Sequence, residues 1–234
     1  YYSHEGLLTA GTMEVKGDFI QDTSSAYYAS PANFKASGTH KVILTGTSQQ
    51  KIRFDKPASS CFVDLENKNT SGSPLIVTGG LSVAGKFTNN GYGFGASLNV
   101  GTTNWTLTGD EVINGDLNVS GNTIDLNGKV LRVKGNLTQT GGTIDLKGGS
   151  LLVEANSETN SNGNCTQTGG TMYIDGGRLE VSGDYVIKNP SDYAYAYINM
   201  TNEADYVKVG GSFTQHSYYS HEGLLTAGTM EVKG

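Results

Sequence analysis

The sequence predicts an all-β protein built as a β-solenoid, in which short coils of chain stack on one another. Three observations predict this fold class. Apolar residues alternate with other residues, as in Leu131-x-Val133 and Ile144-x-Leu146, which is the period of a β-strand. Gly-Gly pairs recur between such segments and favour sharp corners, because glycine adopts positive φ at little cost. No segment shows a sustained helical period with caps.

The predicted strands are hydrophobic–x–hydrophobic triplets that follow one another along the chain. In order they lie in MEVKGDFIQ (13–21), VILTGTSQQ (42–50), LSVAGKFTN (81–89), LNVSGN (117–122), LRVKGNLTQ (131–139), LLVEAN (151–156), LEVSGDYVI (179–187) and VKVGGSFTQ (207–215). The two long gaps have room for further turns, at FVDLENKN (62–69) and WTLTGDEV (105–112). We therefore expect about nine or ten coils of roughly 20–28 residues, the stacked repeats of a solenoid. Their inward residues include Leu131, Val133, Leu151, Val153, Leu179 and Val181.

The two ends of the chain are identical. Residues 1–17 and residues 218–234 both read YYSHEGLLTAGTMEVKG, so that position 218 repeats position 1 and the period is 218 − 1 = 217. The match fits either a domain with a duplicated edge or a window from a tandem array, and we favour the array because stacked repeats must present the same surface to one another. We expect residues 1–234 to form one continuous solenoid, and Asp and Phe to follow Gly234 as Asp18 and Phe19 follow Gly17.

Composition excludes several classes of function. The net charge is −6 and charged residues make up only 16% of the chain, which disfavours nucleic-acid binding and a membrane-surface helix, since both need a basic surface. No apolar run is long enough for a transmembrane span. We expect no nucleic-acid partner and no membrane span.

Longer motifs give a resemblance to a known class of proteins. The pattern LxVxGdFxQxGG followed by GGxLxVxG, the stretch 200–217 running into 1–19, and NFKASGTHKVILTG (33–46) resemble tandem-repeat modules of very large secreted or cell-surface bacterial proteins. The resemblance implies an extracellular structural role, an adhesive role among filaments or in biofilm, and a right-handed parallel β-helix. It carries no catalytic residues.

Three carboxylates are the candidates for chemistry. Asp125 and Asp145 lie one short coil apart in TIDL motifs, and Asp175 lies in YIDG. If Asp125 and Asp145 stack, they form either a solvated corner pair, a weak Ca²⁺ site, or a catalytic pair of a polysaccharide enzyme. The calcium pattern G-G-x-G-x-D is absent, because Ile144 stands where glycine is required. We predict no catalytic residue, no cofactor and no metal beyond that weak candidate.

The two cysteines, Cys61 and Cys165, lie four to five predicted coils apart. That is roughly 19–24 Å at the spacing of strands, which is too far for a disulfide bond. We expect both to be unbonded within one unit.

Tyrosines form the strongest surface signal. In YAYAYI (193–198) the tyrosines share one face and Ala194, Ala196 and Ile198 share the other. Similar offsets within consecutive coils predict one stacked stripe of Tyr27, Tyr28, Tyr193, Tyr195, Tyr197, Tyr218 and Tyr219. The stripe is either an aromatic ladder that stabilises the fold or a contact surface for another filament or a glycan.

The sequence thus predicts a structural repeat unit of an extracellular or cell-surface fibre that self-assembles through continuation of its repeats. An adhesin or glycan-binding stalk is the alternative, and a β-helical polysaccharide lyase or hydrolase ranks third.

Overall fold

The computed structural model of the chain describes residues 5–23, 32–89, 91–101, 103–189, 195–216 and 221–234. These residues form β-strands and connecting turns. Since this part of the chain contains no helix, no helix there could cross a membrane. The strands are β1 (Thr12–Val15), β2 (Phe19–Gln21), β3 (Lys41–Leu44), β4 (Lys51–Phe54), β5 (Asp64–Asn67), β6 (Ile76–Thr78), β7 (Phe87–Thr88), β8 (Leu98–Val100), β9 (Trp105–Thr106), β10 (Glu111–Ile113), β11 (Leu117–Val119), β12 (Thr123–Asp125), β13 (Val130–Lys134), β14 (Leu137–Asp145), β15 (Ser150–Glu154), β16 (Cys165–Tyr173), β17 (Arg178–Val181), β18 (Tyr185–Lys188), β19 (Ala196–Asn199), β20 (Tyr206–Val209), β21 (Phe213–His216) and β22 (Thr229–Val232).

The described strands pair in parallel in four hydrogen-bonded sheets. Isolated bridges and side-by-side strands line these sheets up into three rows, which we call ladders A, B and C. Ladder A comprises β1, β3, β5, β7, β9, β12, the last residues of β14 and β16, and β19. Ladder B comprises β2, β4, β6, β10, β13, β15, β17, β20 and β22. Ladder C comprises the bridges Lys35–Cys61 and Phe62–Val83, then β8, β11, the first residues of β14 and β16, β18 and β21.

Single contacts carry each ladder across its gaps. Ladder B passes from β6 to β10 through the bridges of Phe94 with Leu75 and Ile113. Ladder C reaches β8 through the bridge Leu81–Val100. Ladder A has no strand pairing between β7 and β9, but the two strands lie side by side there, with the ring centroids of Phe87 and Trp105 5.8 Å apart. Beyond β19 the ladder continues in the bridge Met200–Leu225.

The chain visits the ladders in the fixed order A, B, C, and we call one such passage a cycle. From β13 to β20 the cycles come in two lengths, since Leu131 pairs with Leu151, Leu151 with Leu179 and Leu179 with Val207. The longer cycle after β15 places its extra residues in a turn closed by the antiparallel bridge Asn156–Ser161. The ladders keep their register because the connections between them absorb the difference in length.

Alternation along each strand builds the core. All six residues predicted to point inward, from Leu131 to Val181, are buried, which confirms that prediction. The corners between ladders C and A are tight: at Gly142 the φ angle is +69°, and an added Cβ would lie 2.5 Å from the carbonyl oxygen of Asn122. Glycine is therefore required there by both conformation and space.

Successive triplets of the sequence do not all stack on one another. Leu117 pairs with Leu137 on ladder C, whereas Leu131 pairs with Glu111 on ladder B. Leu65 stacks on Phe87, and Leu81 pairs with Val100 on ladder C. The physical reason is that every cycle crosses three ladders, so two successive triplets in the sequence can belong to neighbouring ladders of one cycle. The additional turn expected at 62–69 is confirmed by the pairing of Val42 with Leu65.

Candidate functional site

The duplicated segment forms a parallel strand at both ends of the molecule. In the first copy, residues 1–17, β1 pairs with β3, with Met13 opposite Val42. In the second copy, residues 218–234, β22 pairs with β20, with Met230 opposite Val207. The first copy thus pairs with a strand that comes later in the chain, and the second copy pairs with a strand that comes earlier. The two partners lie on opposite edges of the shared strand.

The two copies use different backbone groups in these contacts. Thr9 accepts at its carbonyl from the N–H of Thr39, whereas its equivalent Thr226 donates its N–H to the carbonyl of Met200. We call the backbone hydrogen bonds just outside the β1–β3 and β20–β22 pairings flanking bonds. In the first copy they use the carbonyls of Leu8, Thr9, Gly11 and Val15. The second copy's use the N–H groups of Thr226, Ala227, Thr229, Lys233 and Gly234 and the carbonyl of Leu224. Among the described residues of the two copies, no atom is used in both sets, so one segment can make both at once.

The glutamate of the segment shows the same complementarity in its side chain. Glu14 Oε1 accepts from the Thr45 hydroxyl at 2.7 Å. Its equivalent, Glu231, accepts at Oε2 from the Tyr206 hydroxyl at 2.7 Å. This hydrogen bond, with that from Lys233, holds the pKa of Glu231 below its usual value. A single carboxylate has room for both hydroxyl donors.

Each copy leaves apolar surface open on the side that the other copy covers. Leu225 and Val232 are 44% and 45% exposed, whereas their equivalents Leu8 and Val15 are partly covered. In the opposite sense, Leu7 is 70% exposed and its equivalent Leu224 is partly covered. The ends of the molecule therefore present uncovered strand and apolar side chains of the kind that another chain segment covers.

A second feature is an open groove on the outer face of ladder A. A volume of about 360 Å³ is lined by Asp145, Tyr173, Asp175, Asn199 and Thr201. The register places Asp145 beside Tyr173 and Tyr173 beside Asn199, so three successive cycles contribute to it. The Tyr173 ring is 40% exposed. An exposed ring next to carboxylate, amide and hydroxyl groups can stack on an apolar face of a ligand while accepting and donating hydrogen bonds.

The predicted stacking of Asp125 on Asp145 is confirmed by their register. The pair has a basic partner in Lys147, whose Nζ lies 2.5 Å from Asp125 Oδ2 and 3.9 Å from Asp145 Oδ2. Burial is the main reason why the pKa of Asp145 is raised, with Asp175 and Asp125 adding to it against Lys147. Asp175 does not join the row, since Tyr173 takes the place beside Asp145. In the part of the chain that the structure describes, no three His, Cys, Asp or Glu side chains gather in a group able to hold a metal ion.

Of the predicted tyrosine stripe, Tyr195 and Tyr197 are described, and both point outward. Their rings stack with centroids 6.0 Å apart, while Ala196 and Ile198 are buried, as the alternation predicts. His221 packs edge-on against Tyr197 at 5.1 Å. Tyr27, Tyr28, Tyr193, Tyr218 and Tyr219 lie outside the described residues.

We expect the double variant Tyr195→Ser/Tyr197→Ser to stay folded, because both rings are outside the core. Tyr185→Ser is the matched comparison: Tyr185 is fully buried and donates to Gln167 Oε1 at 2.9 Å, so its truncation costs about 3–5 kcal/mol. Thermal unfolding followed by circular dichroism measures both. Loss of the β signal in the double variant would contradict an outward role for the pair.

Two ionisable side chains with a structural role, Glu111 and Lys147, were not predicted from the sequence. Glu111 is buried at an inward position of ladder B and accepts from Asn89 Nδ2 at 3.0 Å, in a row of polar side chains that continues to Asn67. Burial raises its pKa to about 7. Its signal was present: Glu111-x-Ile113 precedes Leu131-x-Val133 by the same interval that separates Leu131 from Leu151. The other is Lys147, whose signal is its place two residues after Asp145.

Both cysteines are free. They lie on ladder C, and the chain passes through five cycles between Cys61 and Cys165. Cys165 is fully buried, and this burial raises the pKa of its thiol far above the usual value. Neither cysteine is placed for an intrachain disulfide bond.

Comparisons with known proteins give no match: no family model, no curated protein and no solved structure is similar to this chain.

Proposed function

We propose that this chain is slightly more than one unit of a tandem array, and that its cycles are the coils of a continuous right-handed β-solenoid forming a structural fibre. The single observation that carries the proposal is the complementarity of the end segments. β20 pairs with the second copy and β3 pairs with the first, and within the described part of the shared sequence no backbone atom is used twice in the hydrogen bonds that flank these pairings. One segment between two units therefore completes the ladders of both.

Continuation also accounts for the apolar surface at the ends. In an array, Met13 would have Val207 of the preceding unit on one side and Val42 on the other, instead of being half-buried. Each completed strand removes an open edge, and open edges are the positions where strands pair with foreign chains. We place the fibre outside the cell or on its surface, on the strength of the sequence resemblance.

A two-unit chain, residues 1–234 followed directly by residues 18–234, tests the proposal. We expect one rigid rod that is longer than the single chain by about 45 Å, since each coil adds about 4.8 Å. Small-angle scattering and electron microscopy measure its length and straightness. A control chain carries a flexible Gly/Ser linker in place of the shared segment and should bend at the joint. Two units that move independently in the first chain would overturn the proposal.

A second candidate function, glycan binding, is favoured by the groove on ladder A. An aromatic ring beside Asp145, Asp175 and Asn199 offers a stacking surface and hydrogen-bonding groups suited to a sugar. A fibre would present the groove many times and gain avidity from weak single contacts.

For this candidate we expect Tyr173→Ala to weaken binding to a responsive oligosaccharide about tenfold, which corresponds to one lost ring contact. Tyr92→Ala is the control, since Tyr92 is 49% exposed and outside the groove. Titration calorimetry against oligosaccharides selected from a glycan array gives the affinities. If no oligosaccharide binds, or if both variants weaken binding equally, the groove is not the site.

A further inference from the structure

The two copies of the duplicated segment occupy different ladders. β1, in the first copy, lies on ladder A with β3. β22, in the second copy, has the same sequence and lies on ladder B with β20. The same residues thus sit at two different positions around the axis along which the ladders run.

Counting the passages gives the size of this offset. From β1 the described residues return to ladder A at β3, β5, β7, β9, β12, β14, β16, β19 and Leu225, which is nine returns. One further step, from A to B, brings the chain to β22. The full sequence period, from β1 to its copy β22, therefore spans nine cycles and one third of another.

A neighbouring part of the segment shows the same offset independently. Leu8 accepts at its carbonyl from Ser37, next to the ladder C bridge of Lys35. Its equivalent Leu225 bridges Met200 beyond the end of β19, on ladder A. The first copy and the second copy are again displaced by one ladder in the same direction, from C to A as from A to B.

We infer that successive units of the fibre are rotated by a third of a turn about its axis, so that ladder B of one unit continues as ladder A of the next. This inference rests on the proposed tandem array. Each unit advances the fibre by about 45 Å, so the assignment of sequence to ladders repeats after three units, about 135 Å. The twist that the stacked coils accumulate adds to this third of a turn per unit.

The rotation determines how the fibre meets its partners. The groove at Tyr173 and the ring pair Tyr195–Tyr197 lie on ladder A of each unit. In the fibre they therefore face three directions in turn, about 45 Å apart along the axis, instead of lining one side. Such a fibre contacts neighbours on every side, and weak contacts add up in three directions.

A visible marker on each unit tests the rotation. A compact domain is inserted between Thr159 and Asn160, in an exposed turn, in a chain of three continuous units. Cryo-electron microscopy of this chain should show three knobs about 45 Å apart along one rod, each on a different side. The same insertion in the middle unit alone is the control that the insertion leaves the rod unbroken.

The outcomes separate the rotation from the array. Three knobs in one line along a straight rod would overturn the rotation and leave the array standing. Knobs on units that hinge freely, or at irregular spacing in a chain whose control is also broken, would overturn the array and the rotation with it.

Discussion

We expect a chain that carries the end segment only once, residues 18–234, to assemble into linear polymers. Its last strand, β22, offers the edge that β1 offers to β3 in the full chain, and its β3 has lost that partner. The second copy of one molecule can therefore complete the ladders of the next without any covalent bond. Residues 1–234 carry a copy at each end. When two such molecules meet end to end, both copies compete for the single position between β20 and β3, so the joint does not form as readily.

Analytical ultracentrifugation and negative-stain microscopy of the two chains at equal concentration measure this difference. We expect 18–234 to form rods that grow with concentration and 1–234 to remain mainly monomeric. Met230→Asp in 18–234 is the blocking control, because Met230 is only partly buried in one molecule but would be enclosed between Val207 and Val42 of the next. A monomeric 18–234 at its highest soluble concentration would contradict the expectation.

We expect Glu111→Gln to stabilise the protein above neutral pH. Burial raises the pKa of Glu111 from 4.5 to about 7, against hydrogen bonds from Asn89, Gly93 and Gly91, with Asp110 adding to the shift. The folded state therefore binds the proton more tightly than the unfolded state does. The stability that this provides is complete below about pH 4.5 and is lost as the pH rises through about 7. The loss is on the order of 3 kcal/mol.

Chemical denaturation at a series of pH values follows this contribution. We expect the glutamine variant to match the native protein near pH 4 and to exceed it by on the order of 3 kcal/mol at pH 8. Glu180→Gln is the comparison of opposite sign, because the hydrogen bond from Arg178 lowers the pKa of Glu180. Its effect is small, as exposed ion pairs contribute little. Parallel pH profiles for native protein and Glu111→Gln would show that the buried carboxyl does not control the pH dependence.

The second half of the chain was predictable from sequence because its inward positions repeat one residue type, even though the cycles have two lengths. Leu131, Leu151 and Leu179 are buried leucines in direct register. Such a column is visible in the sequence as a short pattern of period two that returns once in every cycle.

The first half was predicted less well because its cycles vary in length and its core is mixed. Phe19 pairs with Ile52, whereas Leu65 pairs with Phe87, which is a much shorter step along the chain. Buried polar side chains such as Gln50 and Asn69, which hydrogen-bond to each other at 2.8 Å, interrupt the apolar pattern. Their position inside the protein depends on partners from other cycles, which a single stretch of sequence does not display.

Of the candidate sites, one was predictable from local sequence and the others were not. The outward direction of Tyr195 and Tyr197 followed from local alternation, since neighbouring residues of a strand face opposite sides. The groove could not be predicted from local alternation, because Asp145, Tyr173 and Asn199 become neighbours only through the register of three strands. Complementary use of backbone groups by the two end copies likewise required the three-dimensional pairing.

The orientation of the ladder hydrogen bonds determines how such a fibre responds to stretching. The bonds join one cycle to the next, so they lie along the direction of tension, and force opens them cycle by cycle from a free end instead of shearing a whole sheet at once. Each short cycle that detaches gives up about 4.8 Å of rod and releases about 70 Å of extended chain. We therefore expect the proposed fibre to be extensible: it would yield in small steps and dissipate work at each, while the cycles that remain stacked keep their full strength.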